Sequence, residues 1–199
     1  MSQACGRIGL VERKTAETSV RVRVNLDGSG VCKVSTGLGF FDHMLDALSR
    51  HAWLDVELTC EGDLGVDDHH TVEDCALALG AAIEQALGDR RGIGRFGSAH
   101  APLDEALARA VVDLSGRPGA WVDLQLKRAM IGQVATENLS HFFASLAAGA
   151  RATLHIDVLR GENDHHKAEA AFKATALALR QAVAIGTRAG DVPSTKGVL

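Results

Sequence analysis

The sequence lacks the features that mark a membrane protein or a nucleic-acid-binding protein. Its 199 residues contain no long apolar run: residues 142–150 are too few to span a bilayer and are followed by Arg151, so no membrane segment is expected. Basic residues are not in excess, because 21 Lys and Arg stand against 25 Asp and Glu. The formal net charge of −4 gives no general attraction to nucleic acid or anionic membranes. Any phosphate group would therefore have to be bound by local Arg and Lys side chains.

The chain also has few cysteines, and none of the four belongs to a Cys-x-x-Cys pair. They are Cys5, Cys32, Cys60 and Cys75, and no signal-like segment precedes Gly6. Reduced thiols in a cytoplasmic protein are therefore expected. The length and an apolar content of 46% predict one domain, or two small domains packed closely together.

What the sequence does contain is a repeated histidine doublet. The motifs DDHHTVE at residues 67–73 and NDHHKAE at 163–169 lie 96 residues apart, and His43 lies 98 residues before His141. We interpret this spacing as an internal duplication. It predicts an α+β fold with two half-domains, residues 1–95 and 96–199, each a small mixed β-sheet covered on one face by two helices. Either the helical faces or the sheets of the two halves must pack together.

Hydrophobic periodicity predicts the elements of each half. Period-two alternation at residues 19–25 and 31–34, around a turn at 27–30, predicts a β-hairpin. A second strand pair is predicted at residues 106–113 and 121–126. The other predicted elements are helices at 41–50, 71–87, 139–148 and 167–185, and strands at 54–60 and 152–158.

Each doublet is expected to open a helix and to present its histidines in two directions. If Asp68 caps its helix, His69 and Glu73 lie one turn apart on one face, whereas His70 points about 100° away. The second doublet, after Asp164, repeats this arrangement. Two metal sites are therefore predicted, each with a His and a Glu from one doublet helix, a His from the other, and either His43 or His141. The candidate ligands are His43, His69, His70, Glu73, His141, His165, His166 and Glu169.

Three imidazoles and one carboxylate without thiolate suit Mn(II), with Fe, Co, Ni and Zn as competitors. A single doublet would favour a structural role, but two doublets with the same trailing Glu in a repeat favour metal. His51, His100 and His155 lack such partners, and we interpret them as structural. Two other classes stay open at this point: a binuclear metallohydrolase that uses a metal-bound hydroxide, and a non-catalytic metal-storage or structural oligomer.

These motifs resemble those of the imidazoleglycerol-phosphate dehydratase family. The resemblance rests on GFFDHMLD at residues 39–46 and on the two doublets, and it extends from RKTAET at 13–18 through NLDG at 25–28 to PSTKG at 193–197. It implies a ribosomal protein S5 domain 2-like fold and an enzyme of histidine biosynthesis. Such an enzyme removes water from D-erythro-imidazole-glycerol phosphate to give imidazole-acetol phosphate. The resemblance also implies two Mn(II) ions per active site, bound to the substrate imidazole.

The resemblance further implies roles for residues outside the doublets. Glu17 would be the general acid/base that takes the carbon-bound proton, although a Glu before an alternating strand is also typical of a solvated edge residue. Lys173 would contact the substrate or the metal carboxylate, or form an i,i+4 surface pair, and Asp104 would also contact the substrate. The implied phosphate ligands are Arg95, Arg117, Ser194 and Lys196. The family implies trimers that combine with metal into a homo-oligomer of 24 subunits, with active sites between subunits.

Overall fold

Two four-stranded sheets, one two-stranded sheet (Met130–Ile131 with Val134–Ala135) and four helices make up the computed structural model, which describes residues 6–186, 190–197 and 199. Cys5 lies outside the described residues. The first half contains β1 (Ile8–Lys14), β2 (Thr18–Asn25), β3 (Cys32–Ser35), α1 (Gly39–Ala52), β4 (Asp55–Gly62) and α2 (His69–Leu87). The second half contains β5 (Phe96–Leu103), β6 (Ala106–Asp113), β7 (Gly119–Asp123), β8 (Met130–Ile131), β9 (Val134–Ala135), α3 (Thr136–Ala150), β10 (Thr153–Arg160) and α4 (Asp164–Val183).

The two larger sheets have the same topology. The strand order is β1-β2-β4-β3 in one sheet and β5-β6-β10-β7 in the other. In each sheet the third strand has an antiparallel partner on one side and a parallel partner on the other. The α+β class and the duplicated half-domains are therefore confirmed, while the division at residue 95 stays a prediction. Within the described residues, no helix has both the length and the apolar character needed to cross a membrane.

The predicted hairpin at residues 19–34 is wrong, and so is the predicted strand pair at 106–126. In each case the last strand of the half, β4 or β10, lies between the two strands that were expected to pair. The carboxylate of Asp55, at the start of β4, accepts hydrogen bonds from the backbone N–H groups of Ser29 (2.8 Å) and Val31 (3.0 Å). The connection after β2 is therefore held across the end of β4 and does not turn back onto β2.

Sequence periodicity does not reveal β1 and β5, because the fully buried residues of these strands are small. Gly9 in β1 is buried, as are Gly97 and Ala99 in β5, whereas Ile8 and Leu10 are exposed. The apolar contrast between the two faces of each strand is therefore weak or reversed.

The helices of the two halves face each other between the sheets, so the helical faces form the interface. Helix α2 packs on α3, and α1 packs on α4. Gly80 of α2 and Gly149 of α3 permit a close approach, because a Cβ on Gly80 would lie 2.5 Å from the Leu146 carbonyl oxygen. A Cβ on Gly149 would collide with the Leu77 carbonyl oxygen. Each doublet helix therefore lies directly beside a helix of the other half.

Three buried phenylalanines help to fix the helices relative to one another. The ring of Phe142 on α3 lies 5.5 Å from that of Phe41 on α1 and 5.0 Å from that of Phe172 on α4, measured between centroids. All three side chains are excluded from solvent, and such aromatic pairs contribute about 0.5–1.5 kcal/mol beyond their burial. Because Phe41 lies two residues before His43 and Phe142 directly follows His141, this packing also positions two candidate ligands.

Candidate metal centres

The two doublet helices begin with different capping interactions. Asn163 caps α4, because its side-chain oxygen accepts hydrogen bonds from the backbone N–H groups of His165 (2.9 Å) and His166 (3.4 Å). At the start of α2, the side chain of Asp67 accepts from the His69 N–H at 2.9 Å. The expected side-chain cap at Asp68 is therefore wrong.

The aspartate directly before the histidine doublet in each motif instead binds the segment that leads into α3. Asp68 accepts a hydrogen bond from the Ala135 N–H at 2.9 Å. Asp164 is the first residue of α4, and its Oδ2 accepts from the N–H groups of Lys127 (2.8 Å) and Arg128 (2.7 Å). The two motifs thus hold both ends of the segment before the helix that carries His141.

The first candidate metal-binding group, cluster A, consists of His69 and Glu73 on α2 and His141 on α3. Nε2 of His141 lies 3.1 Å from Oε1 of Glu73, and Nε2 of His69 lies 4.0 Å from Oε2 of the same carboxylate. The two imidazole rings stack with their centroids 4.8 Å apart. Asn138, one turn before His141, lies with its side-chain oxygen 2.9 Å from Nδ1 of His69. When Nδ1 donates to this oxygen, Nε2 is free to bind a metal.

The second group, cluster B, consists of His43 on α1 and His165 and Glu169 on α4. The Nε2 atoms of His43 and His165 lie 3.1 and 3.2 Å from Oε2 of Glu169. One turn further along α4, Lys173 places its Nζ 2.6 Å from Oε1 of Glu169. Burial favours the neutral form of Glu169, but the hydrogen bonds from Lys173 and His43 outweigh it and lower the pKa of Glu169 to about 2.

Both clusters suit a divalent cation. In each cluster, one ligand atom from every residue lies within 4.8 Å of the others. The atoms are imidazole nitrogens and carboxylate oxygens, a donor set that first-row transition metals accept. Each cluster supplies two imidazoles and one carboxylate, and the expected histidine from the opposite doublet does not join either cluster within the chain.

His70 points away from cluster A, as the helical geometry predicts. Its Nδ1 lies 3.0 Å from the Asp63 carboxylate, and its Nε2 lies 3.6 Å from the carboxylate of Glu17. The hydrogen bond to Asp63 is the main cause of a raised pKa of His70, and the charge of Glu17 adds to it. The structure thus brings Glu17, at the turn between β1 and β2, next to the first doublet.

His166 has the equivalent surroundings in the second half. Its Nδ1 lies 2.7 Å from Glu105, and its Nε2 lies 3.8 Å from Asp104, at the turn between β5 and β6. The hydrogen bond to Glu105 raises the pKa of His166. The pKa of Glu105 falls to about 2, chiefly because its carboxylate accepts the Asn163 N–H and also interacts with His166. Glu17 and Asp104 therefore lie beside the diverging histidine of their own half.

A separate basic cavity gathers the four residues predicted to bind phosphate. Arg95, Arg117, Ser194 and Lys196 line a cavity of about 420 Å³. The Arg95 side chain donates to Asp113 at 2.7 Å and to the Pro193 carbonyl oxygen at 2.8 Å, whereas the Arg117 side chain is largely exposed. Among the described residues that line this cavity, none belongs to cluster A or cluster B. The candidate phosphate and metal groups therefore lie at separate places on one chain.

Sequence reasoning missed the residues that orient the histidines. Asn138, Asp63 and Glu105 each place an oxygen within 3.0 Å of Nδ1 of a candidate ligand. The sequence offers a signal for Asn138, because it lies one helical turn before His141 and therefore on the same side of α3 as a candidate ligand. Asp63 and Glu105 follow strands, and only the sheet topology brings them to the doublets. His155, interpreted as structural, stacks on Trp121 with ring centroids 4.7 Å apart.

The fold and the clusters together define a duplicated α+β protein with two histidine–carboxylate sites suited to divalent metals. The family model for imidazoleglycerol-phosphate dehydratase matches residues 36–179. The chain belongs to this family, and it is a carbon–oxygen hydro-lyase of histidine biosynthesis.

Curated relatives and solved structures agree with this membership. An imidazoleglycerol-phosphate dehydratase of Zymomonas mobilis is 55% identical over 97% of this chain and 99% of its own length. One from Phytophthora nicotianae is 59% identical over 95% of this chain, which spans only 42% of that longer protein. The crystal structure of the Pyrococcus furiosus protein, in complex with (S)-C348, is similar with a TM-score of 0.82 and 40% identity over 95% of this chain and 100% of that one. The Staphylococcus aureus dehydratase gives a TM-score of 0.79 at 35% identity, over 90% of this chain and 99% of that one.

Proposed function

We propose that the chain converts D-erythro-imidazole-glycerol phosphate to imidazole-acetol phosphate by loss of water, with two Mn(II) ions per active site. One observation carries this proposal: the chain has two His and Glu clusters, related by the duplication, and a separate basic cavity. These groups match the two ends of a substrate that has an imidazole ring and a phosphate. Membership of the dehydratase family supports the reaction class.

The proposed metal ligands are the histidines and glutamates of both motifs together with the lone histidines of α1 and α3. When bound, the ions would supply Lewis acidity that favours the deprotonated form of the substrate imidazole. The chain itself orients the ligands, because oxygens of Asn138, Asp63 and Glu105 lie beside their Nδ1 atoms. The full set is His43, His69, His70, Glu73, His141, His165, His166 and Glu169.

Glu17 is proposed to take the proton from the substrate carbon that bears the middle hydroxyl. Its side chain is half exposed and lies 3.6 Å from Nε2 of His70, so a substrate held at this histidine can reach it. The hydroxyl on the carbon next to the ring leaves with a proton as water, and the resulting enol becomes the ketone. Asp104, at the equivalent turn beside His166, and Lys173, beside Glu169, are proposed to contact the substrate.

The basic cavity is proposed to bind the substrate phosphate. The guanidinium groups of Arg95 and Arg117 can offer paired donors to phosphate oxygens, Ser194 offers a hydroxyl, and Lys196 adds a positive charge. Because Arg95 already donates to Asp113 and to the Pro193 carbonyl, its position is set before any ligand binds. A fixed donor loses little entropy on binding.

The active site is proposed to lie between subunits of an assembly of 24 copies built from trimers. Each cluster has two imidazoles and one carboxylate, while His70 and His166 lie beside acidic residues outside the clusters. A His70 or His166 from another copy would add the third imidazole to each set. An ion that binds only the assembled state stabilises that state, so metal binding and assembly would be linked.

A cytoplasmic location is part of the proposal, supported by the free thiols of Cys32, Cys60 and Cys75.

The test is to incubate the Mn(II)-loaded protein with the substrate and to measure imidazole-acetol phosphate. Glu17→Gln is expected to reduce turnover about 10²-fold to 10⁴-fold while metal content is unchanged, because the variant cannot accept a proton. Glu12→Gln changes an exposed glutamate of neighbouring β1 and is expected to retain activity. Absence of product from the metal-loaded wild-type assembly, or full activity of Glu17→Gln, would contradict the proposal.

A further inference from the structure

The two metal clusters are related by the duplication but are not chemically equivalent. Four residues after the cluster glutamate, α4 carries Lys173 where α2 carries Leu77. Three residues before the lone histidine, α1 carries Phe40 where α3 carries Asn138. Cluster B therefore has a cation and an aromatic ring at the positions where cluster A has an aliphatic side chain and a hydrogen-bonding amide.

Lys173 forms an ion pair with the carboxylate of cluster B. Its Nζ lies 2.6 Å from Oε1 of Glu169, and the Glu169 side chain is only 12% exposed, so water screens this pair weakly. In cluster A the Glu73 oxygens likewise lie near the two cluster histidines, but Leu77 takes the place of the lysine. A cation entering cluster B therefore meets a carboxylate that already has a positively charged partner.

The histidines of the two clusters are also held differently. The Asn138 oxygen can accept the Nδ1 proton of His69, which favours the tautomer whose Nε2 binds metal. The corresponding ring in cluster B, His165, packs edge-on against Phe40 with centroids 5.2 Å apart. Phe40 has no hydrogen-bond acceptor, so it cannot select the same tautomer.

We propose that cluster A binds a divalent cation more tightly than cluster B, so that cluster A loads first, and that Lys173 is the main cause of the difference. This inference rests on the proposed metal-binding function. Groups that contact metal ligands typically change metal affinity about 10-fold to 100-fold, which is the gap we expect between the clusters. The ion in cluster B is then the one that exchanges more readily.

The test is a titration of the metal-stripped protein with Mn(II), with free Mn(II) measured by electron paramagnetic resonance. Two classes of sites are expected, with dissociation constants that differ by about 10-fold or more. Glu73→Gln is expected to remove the tight class, and Glu169→Gln the weak class. Lys173→Leu installs the residue found at the cluster A position and is expected to tighten the weak class about 10-fold. Lys173→Arg keeps the charge and is expected to leave the weak class weak.

The reciprocal substitution provides an independent check. Leu77→Lys places a cation four residues after Glu73 and is expected to weaken the tight class. Two sites of equal affinity in the wild-type protein, or a weak class that Lys173→Leu does not tighten, would overturn the inference while leaving the proposed function intact. Failure of the wild-type protein to bind Mn(II) at either cluster would overturn both.

Discussion

Replacing Lys167 with Met is expected to destabilise the protein strongly. The side chains of Lys167 and Asp164 are each only 2% exposed, and Nζ lies 3.0 Å from Oδ1 of the aspartate. Nζ also donates to the Gln125 carbonyl oxygen at 2.9 Å. Met is similar in length but carries no charge, so the substitution leaves the Asp164 carboxylate buried without its cation. The same carboxylate holds the Lys127 and Arg128 N–H groups, so the damage also reaches the segment before α3.

The size of the effect follows from the geometry of the pair. Unit charges 3.0 Å apart attract by about 5.5 kcal/mol at an effective dielectric constant of about 20. The lost hydrogen bond to Gln125 adds about 1 kcal/mol, while the ammonium no longer has to be desolvated. A net loss of about 3–5 kcal/mol is expected, as for other broken buried ion pairs. For a chain of 199 residues this corresponds to a fall in Tm of about 6–20 °C.

Thermal unfolding followed by circular dichroism, at one protein concentration with chelator present, measures this fall. Lys33→Met is the matched control: Lys33 is 71% exposed and lies 3.9 Å from Glu57, so its loss is expected to cost less than about 1 kcal/mol. Adding Asp164→Asn to Lys167→Met should restore part of the stability, because the unpaired charge is removed. A Lys167→Met protein with a Tm within about 2 °C of the wild type would refute the reasoning.

Two further predictions concern metal and pH. Chelation is expected to lower the mass of the assembly in solution, because the third imidazole of each metal site is proposed to come from another copy. Light scattering before and after chelation measures this mass. An unchanged mass would contradict metal-linked assembly. Asp63→Asn is expected to lower the pKa of His70 towards its ordinary value of about 6.5, because the Asp63 carboxylate is the main group that raises it. An NMR titration of the metal-free protein measures this pKa, and a value that stays raised would exclude the cause. In the metal-free wild-type protein, the raised pKa of His70 stabilises the fold at low pH. This contribution to stability is lost as the pH rises through the pKa of His70 in the folded protein.

Local sequence patterns predicted the elements whose signal lies within one segment. The helical periodicity at residues 71–87 corresponds to α2 (His69–Leu87), and the alternation at 19–25 corresponds to β2 (Thr18–Asn25). They did not predict strand order, because the residues of β2 pair with β4 residues that lie 30 to 44 positions further along the chain. They also missed β1, because its fully buried residue is Gly9, which lies against α2 and has no side chain. The strand therefore lacks the alternation of apolar side chains that would reveal it.

The candidate site also combines features that a single segment encodes with contacts between distant segments. The pairs His69 with Glu73 and His165 with Glu169 follow from the i,i+4 geometry of a helix, and the sequence is sufficient to predict them. The partners His141 and His43 are different, because two pairings with the doublets were possible. The packing of α2 on α3 and of α1 on α4 selects one of them.

By itself, the sequence determined the duplication, the α+β class, the chemical types of the candidate metal ligands and the divergence of the two histidines in each doublet. These properties depend on composition, spacing and helical periodicity, which are local. The tertiary structure decided which lone histidine joins which doublet, brought Glu17 and Asp104 to His70 and His166, and gathered Arg95, Arg117, Ser194 and Lys196 around one cavity. Contacts between residues far apart in the chain depend on how sheets and helices pack, because packing is cooperative and no single segment encodes it.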